Sequence, residues 1–595
     1  GYNTLLGKSY GEIAAESRTN HKSQGFGSTP TRGEQKEYLE LKKGTAIQNS
    51  DIFSGIQLGW ERYRQGADIQ NTINSIISNY DILHPEKSVD ALLKVYGQLK
   101  LIPEDQLIQY KKQQVQKIIV ACLGLWLEPV AEKDMVANGD NLNIVSTSLK
   151  RVDYPLSLES ITILGKEYKS GEILPAGINQ IDSFKIVVPE GISSSPYWLN
   201  GAYDGVFNVE DRKLIGKAEN DPAIIFTYNV KVGNEIFAIN RGVVYKETDA
   251  VKGEIYTPLA VVPRAIVHAD SYNLIYTDSL SKNFPLLIKS YASDTIAGNV
   301  RLFGNRANIS SKAYTLNKNG ESATLNFTIT PPKQNGTKDI GLNISGNNEN
   351  ETLGESAKKI RVISYDHIPR QVVVEDAKLH VVKFDAMPST KKVLYIDGAG
   401  DLVDESLKQI GVNITTIKPE DMNAALLQQY DVAIIGVRAF NTSKVLADNN
   451  AQLMEFVNAG GTVIAQYSTN WDMYLEKIGP YNFKITRTRV TDENSPVEFL
   501  LPEHKVLNNP NKITQDDFTG WVQERGIYFA GELAPEYVAP LAFTDPNEQP
   551  QNGSLIIAQY GKGTFMYTGL AFFRELPAGV AGAYRLMLNM IEYKP

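Results

Sequence analysis

The spacing of the hydrophobic residues changes twice along this chain of 595 residues, and it limits the possible folds more than any other feature. Residues 46–130 place apolar side chains three and four positions apart, the period of an amphipathic helix. Residues 131–386 form short alternating segments separated by Gly, Pro, Asn and Asp, which is typical of β-sandwich strands. From residue 387 onward strands alternate with helices, and this order predicts a doubly wound parallel sheet. The chain is therefore predicted to be multidomain, part α/β and part all-β.

Five units follow from these changes of period. Their predicted bounds are 1–45 for a segment with a polar, Gly-rich loop, 46–130 for a short helical bundle, 131–255 and 256–386 for two β-sandwich modules, and 387–595 for a flavodoxin-like α/β domain. The β-rich stretch is about twice the length of one sandwich, which is why we divide it. We expect Pro129 to end the third helix of the bundle, because proline cannot continue a helix.

Composition excludes several classes of function. The formal net charge is −8, so no basic field is available to hold a nucleic acid or an anionic membrane surface. The single cysteine, Cys122, cannot form a disulfide within the chain or a multi-cysteine metal site, and its place in a predicted helix indicates core packing. No run of about 18 apolar residues is present, so no transmembrane segment is predicted.

Histidine spacing gives no metal site. The six histidines form no His-x-x-x-His, His-x-x-His or His-Glu-x-x-His pattern, and a zinc site normally needs three nitrogen or oxygen ligands. His21, Ser23 and Gln24 are candidates for a catalytic role, in a loop where glycines would let the backbone approach another group closely. The alternative is a turn whose polar side chains bond the main chain.

The predicted α/β domain has one turn at which a nucleophile could stand. In the class I glutamine amidotransferase fold a cysteine follows a strand on a strained turn, but the turn after the strand Thr462–Gln466 holds Ser468 without a Gly-x-Ser-x-Gly pattern. Gly398-Ala399-Gly400 lacks the third glycine of a dinucleotide turn. Asp397 lies at the carboxyl end of a predicted strand, where such sheets bind ligands.

Aromatic residues beside polar ones mark further candidates for binding. Rings stack on the apolar faces of sugars while polar groups bond their hydroxyls, although the same composition also occurs at domain interfaces. Arginines that follow two predicted strands could line the same rim as Asp397. The predicted binding residues are Asp397, Arg438, Ser468, Trp521, Arg525, Arg574, Tyr197 and Trp198.

The order of these parts resembles the long PIG-L/LmbE-type deacetylases of Bacteroidetes-like bacteria. The resemblance is carried by the motifs Ala14-Ala15-Glu16-Ser17-Arg18, His21-Lys22-Ser23-Gln24-Gly25-Phe26-Gly27, Pro196-Tyr197-Trp198-Leu199 and Gly582-Ala583-Tyr584-Arg585. The first two are similar to the end of that family's catalytic domain, so the resemblance implies that residues 1–45 are the C-terminal remnant of that domain. The last domain separately resembles the glutamine amidotransferase-like fold without its nucleophile.

The resemblance implies a hydrolase that uses zinc to remove acetyl groups from N-acetylated sugars. The family's Ala-His-Pro-Asp-Asp-Glu and His-Pro-Asp-His motifs do not occur here, so no metal ligand is carried over. We therefore expect an N-terminally incomplete, inactive accessory part that holds no cofactor.

The alternative is a glycan-binding or scaffold protein. A hydrolase using Ser468 or Asp397 is a third hypothesis. Carbohydrate or a glycoconjugate is the expected partner, and the periplasm or cell surface the expected location, with any signal peptide upstream.

Overall fold

The computed structural model describes residues 1–44, 52–201, 205–304, 307–346 and 354–594, apart from the side chains of residues 23 and 307–309. The first 44 residues contain a small hairpin and a helix: β1 (Tyr2–Asn3), β2 (Lys8–Ser9) and α1 (Tyr10–Thr19). Ser9 and Glu12 cap the helix reciprocally, each side chain accepting a hydrogen bond from the other's backbone N–H. Within α1, Ala15 alone is buried, so this segment has no core of its own.

Three helices precede the first β-sandwich. The helices are α2 (Gly66–Ser78), α3 (Val89–Lys100) and α4 (Gln106–Cys122). The strands that follow are β3 (Trp126–Ala131), β4 (Met135–Ala137), β5 (Asn141–Leu149), β6 (Leu156–Ile163), β7 (Lys166–Ile173), β8 (Gln180–Val187), β9 (Ile225–Val232), β10 (Glu235–Gly242), β11 (Val244–Asp249) and β12 (Gly253–Pro258). They form a four-stranded sheet, β10-β9-β6-β7, and a five-stranded sheet, β12-β11-β3-β5-β8.

The helices and this first sandwich share one hydrophobic core. Ile69 and Ile119 of the helices lie in the same buried cluster as strand residues from both sheets, and the Tyr96 and Phe237 rings meet edge to face at 5.0 Å. The helix before Pro129 ends at Cys122, and Pro129 lies inside β3, so the prediction that it ends that helix was wrong. The predicted bounds at 130/131 and 255/256 each fall within a strand.

A second β-rich unit follows. Its strands are β13 (Ala260–Val262), β14 (Ala265–His268), β15 (Asn273–Tyr276), β16 (Lys282–Ser290), β17 (Ile296–Gly304), β18 (Ala307–Leu316), β19 (Ser322–Ile329), β20 (Gly336–Gly346), β21 (Glu355–Ser356), β22 (Lys358–Tyr365), β23 (Ile368–Asp376) and β24 (Lys378–Lys383). The sheet β14-β16-β19 packs on the sheet β15-β24-β20-β17-β18 through one buried cluster. The predicted β-rich, multidomain character of residues 131–386 is thus confirmed.

The remaining residues alternate strands and helices. The elements are β25 (Lys392–Ile396), α5 (Val403–Gln409), β26 (Asn413–Ile417), α6 (Ala424–Leu427), β27 (Val432–Ile435), α7 (Ala439–Thr442), α8 (Lys444–Asp448), α9 (Asn450–Ala459), β28 (Thr462–Gln466), β29 (Lys484–Ile485), β30 (Arg489–Val490), β31 (Val497–Phe499), α10 (Lys505–Asn508), β32 (Gly526–Ile527), β33 (Ala530–Gly531), β34 (Leu541–Phe543), β35 (Leu555–Tyr560), β36 (Gly563–Thr568), α11 (Phe572–Ala578) and α12 (Ala581–Glu592).

One six-stranded sheet organises this domain, in the order β26-β25-β27-β28-β36-β35. All its pairs are parallel except β35–β36. Alternate residues of each strand enter two different buried clusters. Val393 and Tyr395 pack with α12 on one face, and Leu394 and Ile396 pack with α9 on the other. Both faces of the sheet are therefore covered, and the carboxyl ends of its parallel strands open on one common edge.

Candidate functional site

The candidate site lies at the carboxyl edge of the C-terminal sheet. Arg438 follows β27, Ser468 follows β28, and Arg574 lies in α11, which follows β36. Because β27, β28 and β36 are parallel neighbours, the segments that follow them emerge side by side. The structure therefore brings three of the residues predicted from sequence to the same edge.

A parallel pair of tyrosines forms the centre of this edge. The rings of Tyr467 and Tyr528 have centroids 5.7 Å apart and planes within 2° of each other. Phe573 packs against Tyr467 at 5.2 Å, and Trp471 meets Tyr528 nearly at right angles at 5.4 Å. Arg487 lies over the Trp471 ring at 5.2 Å. We call the whole set the arginine–aromatic rim; it comprises Arg438, Tyr467, Trp471, Arg487, Tyr528, Phe573 and Arg574.

The backbone of this rim is held in a conformation that side chains rarely permit. Arg438 and Tyr528 of the rim have φ angles of 58° and 61°, and Asp472, next to Trp471, has one of 53°, all in the left-handed region that favours glycine. Neighbouring hydrogen bonds fix two of these positions. The Tyr567 hydroxyl donates to the Tyr528 carbonyl at 2.6 Å, and the Arg438 N–H donates to the Tyr467 carbonyl at 2.8 Å. Such strain persists where the surroundings fix it, and it concentrates at functional sites.

The charges around the tyrosine pair are mostly positive. Burial raises the pKa of Tyr467, while Arg438 and Arg574 act to lower that pKa and Glu524 acts to raise it. Burial likewise raises the pKa of Tyr528, opposed by Arg487 and Arg438. Both phenols therefore stay protonated at neutral pH and can donate a hydrogen bond. Trp471 is 44% exposed, so its ring is available to a ligand.

The serine in the turn after β28 does not form a nucleophilic site. Ser468 is 1% exposed, and its hydroxyl has no hydrogen-bond partner among the described residues. A serine nucleophile needs a base within hydrogen-bond reach and an accessible oxygen. Its backbone is also outside the left-handed region, unlike that of Arg438. The proposed role of Ser468 as a contact for ligand is thus contradicted by its burial.

The strand order of the sheet reverses between β25 and β27, and sheets of this kind bind ligands in the crevice at such a reversal. Beside Asp397, this crevice is closed by the carboxylate of Asp401. Asp401 accepts hydrogen bonds from the Tyr395 hydroxyl at 2.6 Å and from the N–H groups of Val403 and Val437 at 3.0 and 3.2 Å. The Ala399 N–H donates to the Val437 carbonyl, so this loop does not present it to a phosphate. Asp397 itself is half-buried, and its pKa is raised by burial and by neighbouring carboxylates.

The predicted cluster around Trp521 and Arg525 lies in the core. The two residues are 4% and 3% exposed, so neither can contact a ligand, and the binding role predicted for them is contradicted. The Arg525 guanidinium lies 5.3 Å from the Trp521 ring and donates to the Ser495 and Phe518 carbonyls. The aromatic and polar composition of this segment stabilises the domain interior.

Tyr197 and Trp198 lie in the first β-sandwich, in a different unit from the rim. Their rings meet edge to face at 5.0 Å, and both are half-buried. The Tyr197 N–H donates to the Asn220 side chain, which helps to line a cleft of about 200 Å³ against β23. Arg370 lines the same cleft but is paired with Asp134. These aromatic residues therefore form a separate surface and do not join the rim.

The N-terminal candidates form a turn. His21 Nδ1 lies 3.0 Å from the Gln24 side-chain oxygen, and Lys22–Gln24 form one turn of 3-10 helix. The side chain of Ser23 is outside the described part of the structure. Among the described residues no group of three His, Cys, Asp or Glu side chains is placed to hold a metal ion. No described helix is both long and apolar enough to cross a membrane.

The rim contains residues that sequence analysis missed. Tyr467 and Phe573 are sequence neighbours of predicted residues and could have been included on that basis. Arg487 and Tyr528 come from the irregular stretch between β28 and β35, where no hydrophobic period places a side chain. Trp471 lies in a loop of the same stretch, so no hydrophobic period places its side chain either. No local signal in the sequence places these three beside β27 and β28.

Comparison with the sequence models of known families finds no match, and comparison with curated proteins finds none. Among solved structures, the β-galactosidase from Rahnella sp. R3 is 17% identical over 33% of this chain and 31% of that chain, with a TM-score of 0.21. The exo-β-1,4-mannosidase Op5Man5 from Opitutaceae bacterium strain TAV5 is 10% identical over 33% and 35%, with a TM-score of 0.22. The CARDB domain of PF1109 from Pyrococcus furiosus is 16% identical over 20% and 92%, at 0.13. The chain spans about a third of the two enzymes, and these likenesses carry no functional argument.

Proposed function

We propose that this chain is the non-catalytic accessory part of a PIG-L/LmbE-type zinc-dependent N-deacetylase of N-acetylated sugars, and that its arginine–aromatic rim binds the glycan. The observation that carries the binding role is the exposed Trp471 beside a flat tyrosine pair with arginines on both sides. A sugar ring buries its apolar face on such rings, while guanidinium and phenol groups bond its hydroxyls.

The C-terminal domain is proposed to be a glutamine amidotransferase-like domain that has lost its chemistry. The sheet order and the helices on both faces support this fold. The turn after β28 supports the loss, because the buried Ser468 hydroxyl has no described base beside it. A rigid sheet with aromatic loops at its carboxyl edge suits binding, since the ligand is held without any group to attack it.

The proposed accessory role depends on the N-terminal segment, which would contact the catalytic domain. Residues 1–44 expose Leu5, Leu6 and Tyr38 at 96%, 61% and 89%, and apolar side chains on this scale favour contact with another protein surface. We propose that these apolar side chains of residues 1–44 contact the rest of the deacetylase catalytic domain. That domain would supply the zinc ligands that are lacking in the described part of this chain. The proposed location is the periplasm or the cell surface, where glycan substrates occur.

The alternative is a separate glycan-binding or scaffold protein. It is favoured by the composition of the rim, all of whose residues come from residues 438–574 of this chain. The two proposals share the same binding surface. They differ in whether residues 1–44 contact a catalytic domain.

Titration calorimetry with chitohexaose, an oligomer of N-acetylglucosamine, tests the binding role. We expect Trp471→Ala to weaken the affinity about tenfold, because one stacked ring is worth about 1.4 kcal/mol at most. Trp126→Ala is the matched control, since Trp126 is 42% exposed and has Arg151 over its ring at 5.6 Å, but it lies in the first β-sandwich.

Failure of both chitohexaose and a hexasaccharide of alternating glucuronate and N-acetylglucosamine to bind at millimolar concentration would contradict the role of the rim. An equal loss of affinity in Trp126→Ala and Trp471→Ala would also contradict it, because the effect would then not be local. Acetate release by the purified chain alone would contradict the accessory, non-catalytic assignment.

A further inference from the structure

Three exposed guanidinium groups surround the tyrosine pair. Arg438 and Arg574 both act on Tyr467, and Arg438 and Arg487 both act on Tyr528. Arg574 lies 5.2 Å from the Phe573 ring, and Arg487 is the same distance from that of Trp471. Because each arginine acts on a ring of the same stacked set, all three face one patch of surface.

These three arginines are not neutralised within the described part of the structure. Among the described residues no carboxylate lies within ion-pair distance of them, whereas Arg585 is paired with Asp517 and Arg264 with Asp140. Glu524 is the carboxylate that acts on Tyr467, but it forms no ion pair with the arginines. A chain with a net charge of −8 therefore has a local positive patch on its aromatic surface.

The planar guanidinium group recognises a carboxylate with two parallel hydrogen bonds, and neighbouring rings recognise the face of a sugar. We infer that the rim binds an acidic glycan, in which the carboxylate of a uronate-type sugar pairs with Arg438 or Arg574 and a neighbouring sugar stacks on Trp471. This inference rests on the proposed glycan-binding function and specifies the chemical class of its ligand. A neutral glycan would leave the three charges without a partner.

The test compares two sugars on the full chain. One probe is a hexasaccharide of alternating glucuronate and N-acetylglucosamine, and the other is neutral chitohexaose. We expect the acidic hexasaccharide to bind at least tenfold more tightly at low ionic strength, and the preference to shrink as salt screens the charges. Inorganic phosphate at the same concentration should not displace it, because phosphate offers no face for the rings.

Substitutions of single arginines test which residues recognise the carboxylate of the acidic sugar. Arg438→Gln and Arg574→Gln should each reduce the affinity for the acidic hexasaccharide about tenfold and reduce that for chitohexaose less, because a guanidinium group bonds a carboxylate more strongly than a neutral hydroxyl. Arg151→Gln is the matched control, because Arg151 lies over Trp126 as Arg487 lies over Trp471. It should change neither affinity.

Each failure has a distinct meaning. Equal affinity for the two hexasaccharides would overturn the inference and leave the glycan-binding function intact. Displacement of the acidic sugar by equimolar phosphate would overturn the sugar class in favour of a simple anion site. Binding of neither sugar would overturn both the inference and the function on which it rests.

Discussion

At the scale of single residues, the most unusual group is a carboxyl buried beside a buried arginine. Glu575 is fully buried and accepts hydrogen bonds from the N–H groups of Val522 and Gln523 at 2.9 and 3.1 Å. Burial raises the pKa of Glu575 to about 7, against the opposing effects of those N–H groups and Arg525. Burial also lowers the pKa of Arg525 to about 10. The segment around Trp521 therefore packs against a buried carboxyl group, and the stability of this part of the domain depends on the protonation of that group.

Glu575 makes stability depend on pH in a defined direction. Its folded pKa of about 7 exceeds the ordinary value of 4.5, so the folded state holds the proton to higher pH than the unfolded chain. The stabilising contribution is full below about pH 4.5 and is lost as pH rises through about 7. The free energy of unfolding should fall by roughly 1–3 kcal/mol over this range because of this group.

The Glu575→Gln variant tests this prediction. A glutamine cannot titrate, so urea unfolding at pH 5 and pH 8 should show a smaller decrease in the free energy of unfolding than in the original chain. Glu503→Gln is the control, because Glu503 is an exposed carboxylate of the same domain. An unchanged difference between pH 5 and pH 8 in Glu575→Gln would show that the carboxyl does not titrate as described.

At the scale of elements, the loops that follow β25 and β27 approach each other within backbone contact. A Cβ atom added at Gly398 would lie 2.2 Å from the Val437 carbonyl oxygen, and one at Gly436 would lie 2.7 Å from the Gly398 nitrogen. Asp401 joins the same two loops by accepting the Val403 and Val437 N–H groups. The carboxyl edge of the sheet therefore depends on glycine at this crossing.

The same substitution should have opposite effects in two places. Gly398→Ala forces backbone atoms apart and should lower the free energy of unfolding by about 2–4 kcal/mol. Gly97→Ala in α3 meets open space and removes the flexibility of glycine, so it should raise the free energy of unfolding by up to about 1 kcal/mol. Denaturant unfolding checks both. A Gly398→Ala variant as stable as the original chain would show that the loops are not in contact.

Sequence periodicity predicts the positions of regular strands and helices, but it does not predict where the side chains of irregular segments lie. The predicted strand Thr462–Gln466 has the bounds of β28, because a buried parallel strand is a continuous apolar run. Periodicity could not separate the helices from the first sandwich, since their cores merge only in three dimensions. For the same reason Tyr528 could not be placed beside Tyr467, 61 positions away by sequence number.

At the scale of the whole molecule, the second β-rich unit packs against the C-terminal domain. Ile275 and Val382 of the second β-rich unit belong to the same buried cluster as α12, and the Asn273 side chain donates to the Pro577 carbonyl at 2.5 Å. These contacts lie on α11 and the strands beside it, and Arg574 of the rim is also in α11. The second β-rich unit thus fixes the helix that carries part of the binding surface.

The most direct test of the central claim is a crystal structure of the full chain with the acidic hexasaccharide. The claim predicts sugar density against Trp471 and the tyrosine pair, with a uronate carboxylate paired with Arg438 or Arg574. Density instead at Tyr197–Trp198 or in the cleft lined by Arg370, or no bound sugar at a concentration that saturates binding in solution, would contradict it.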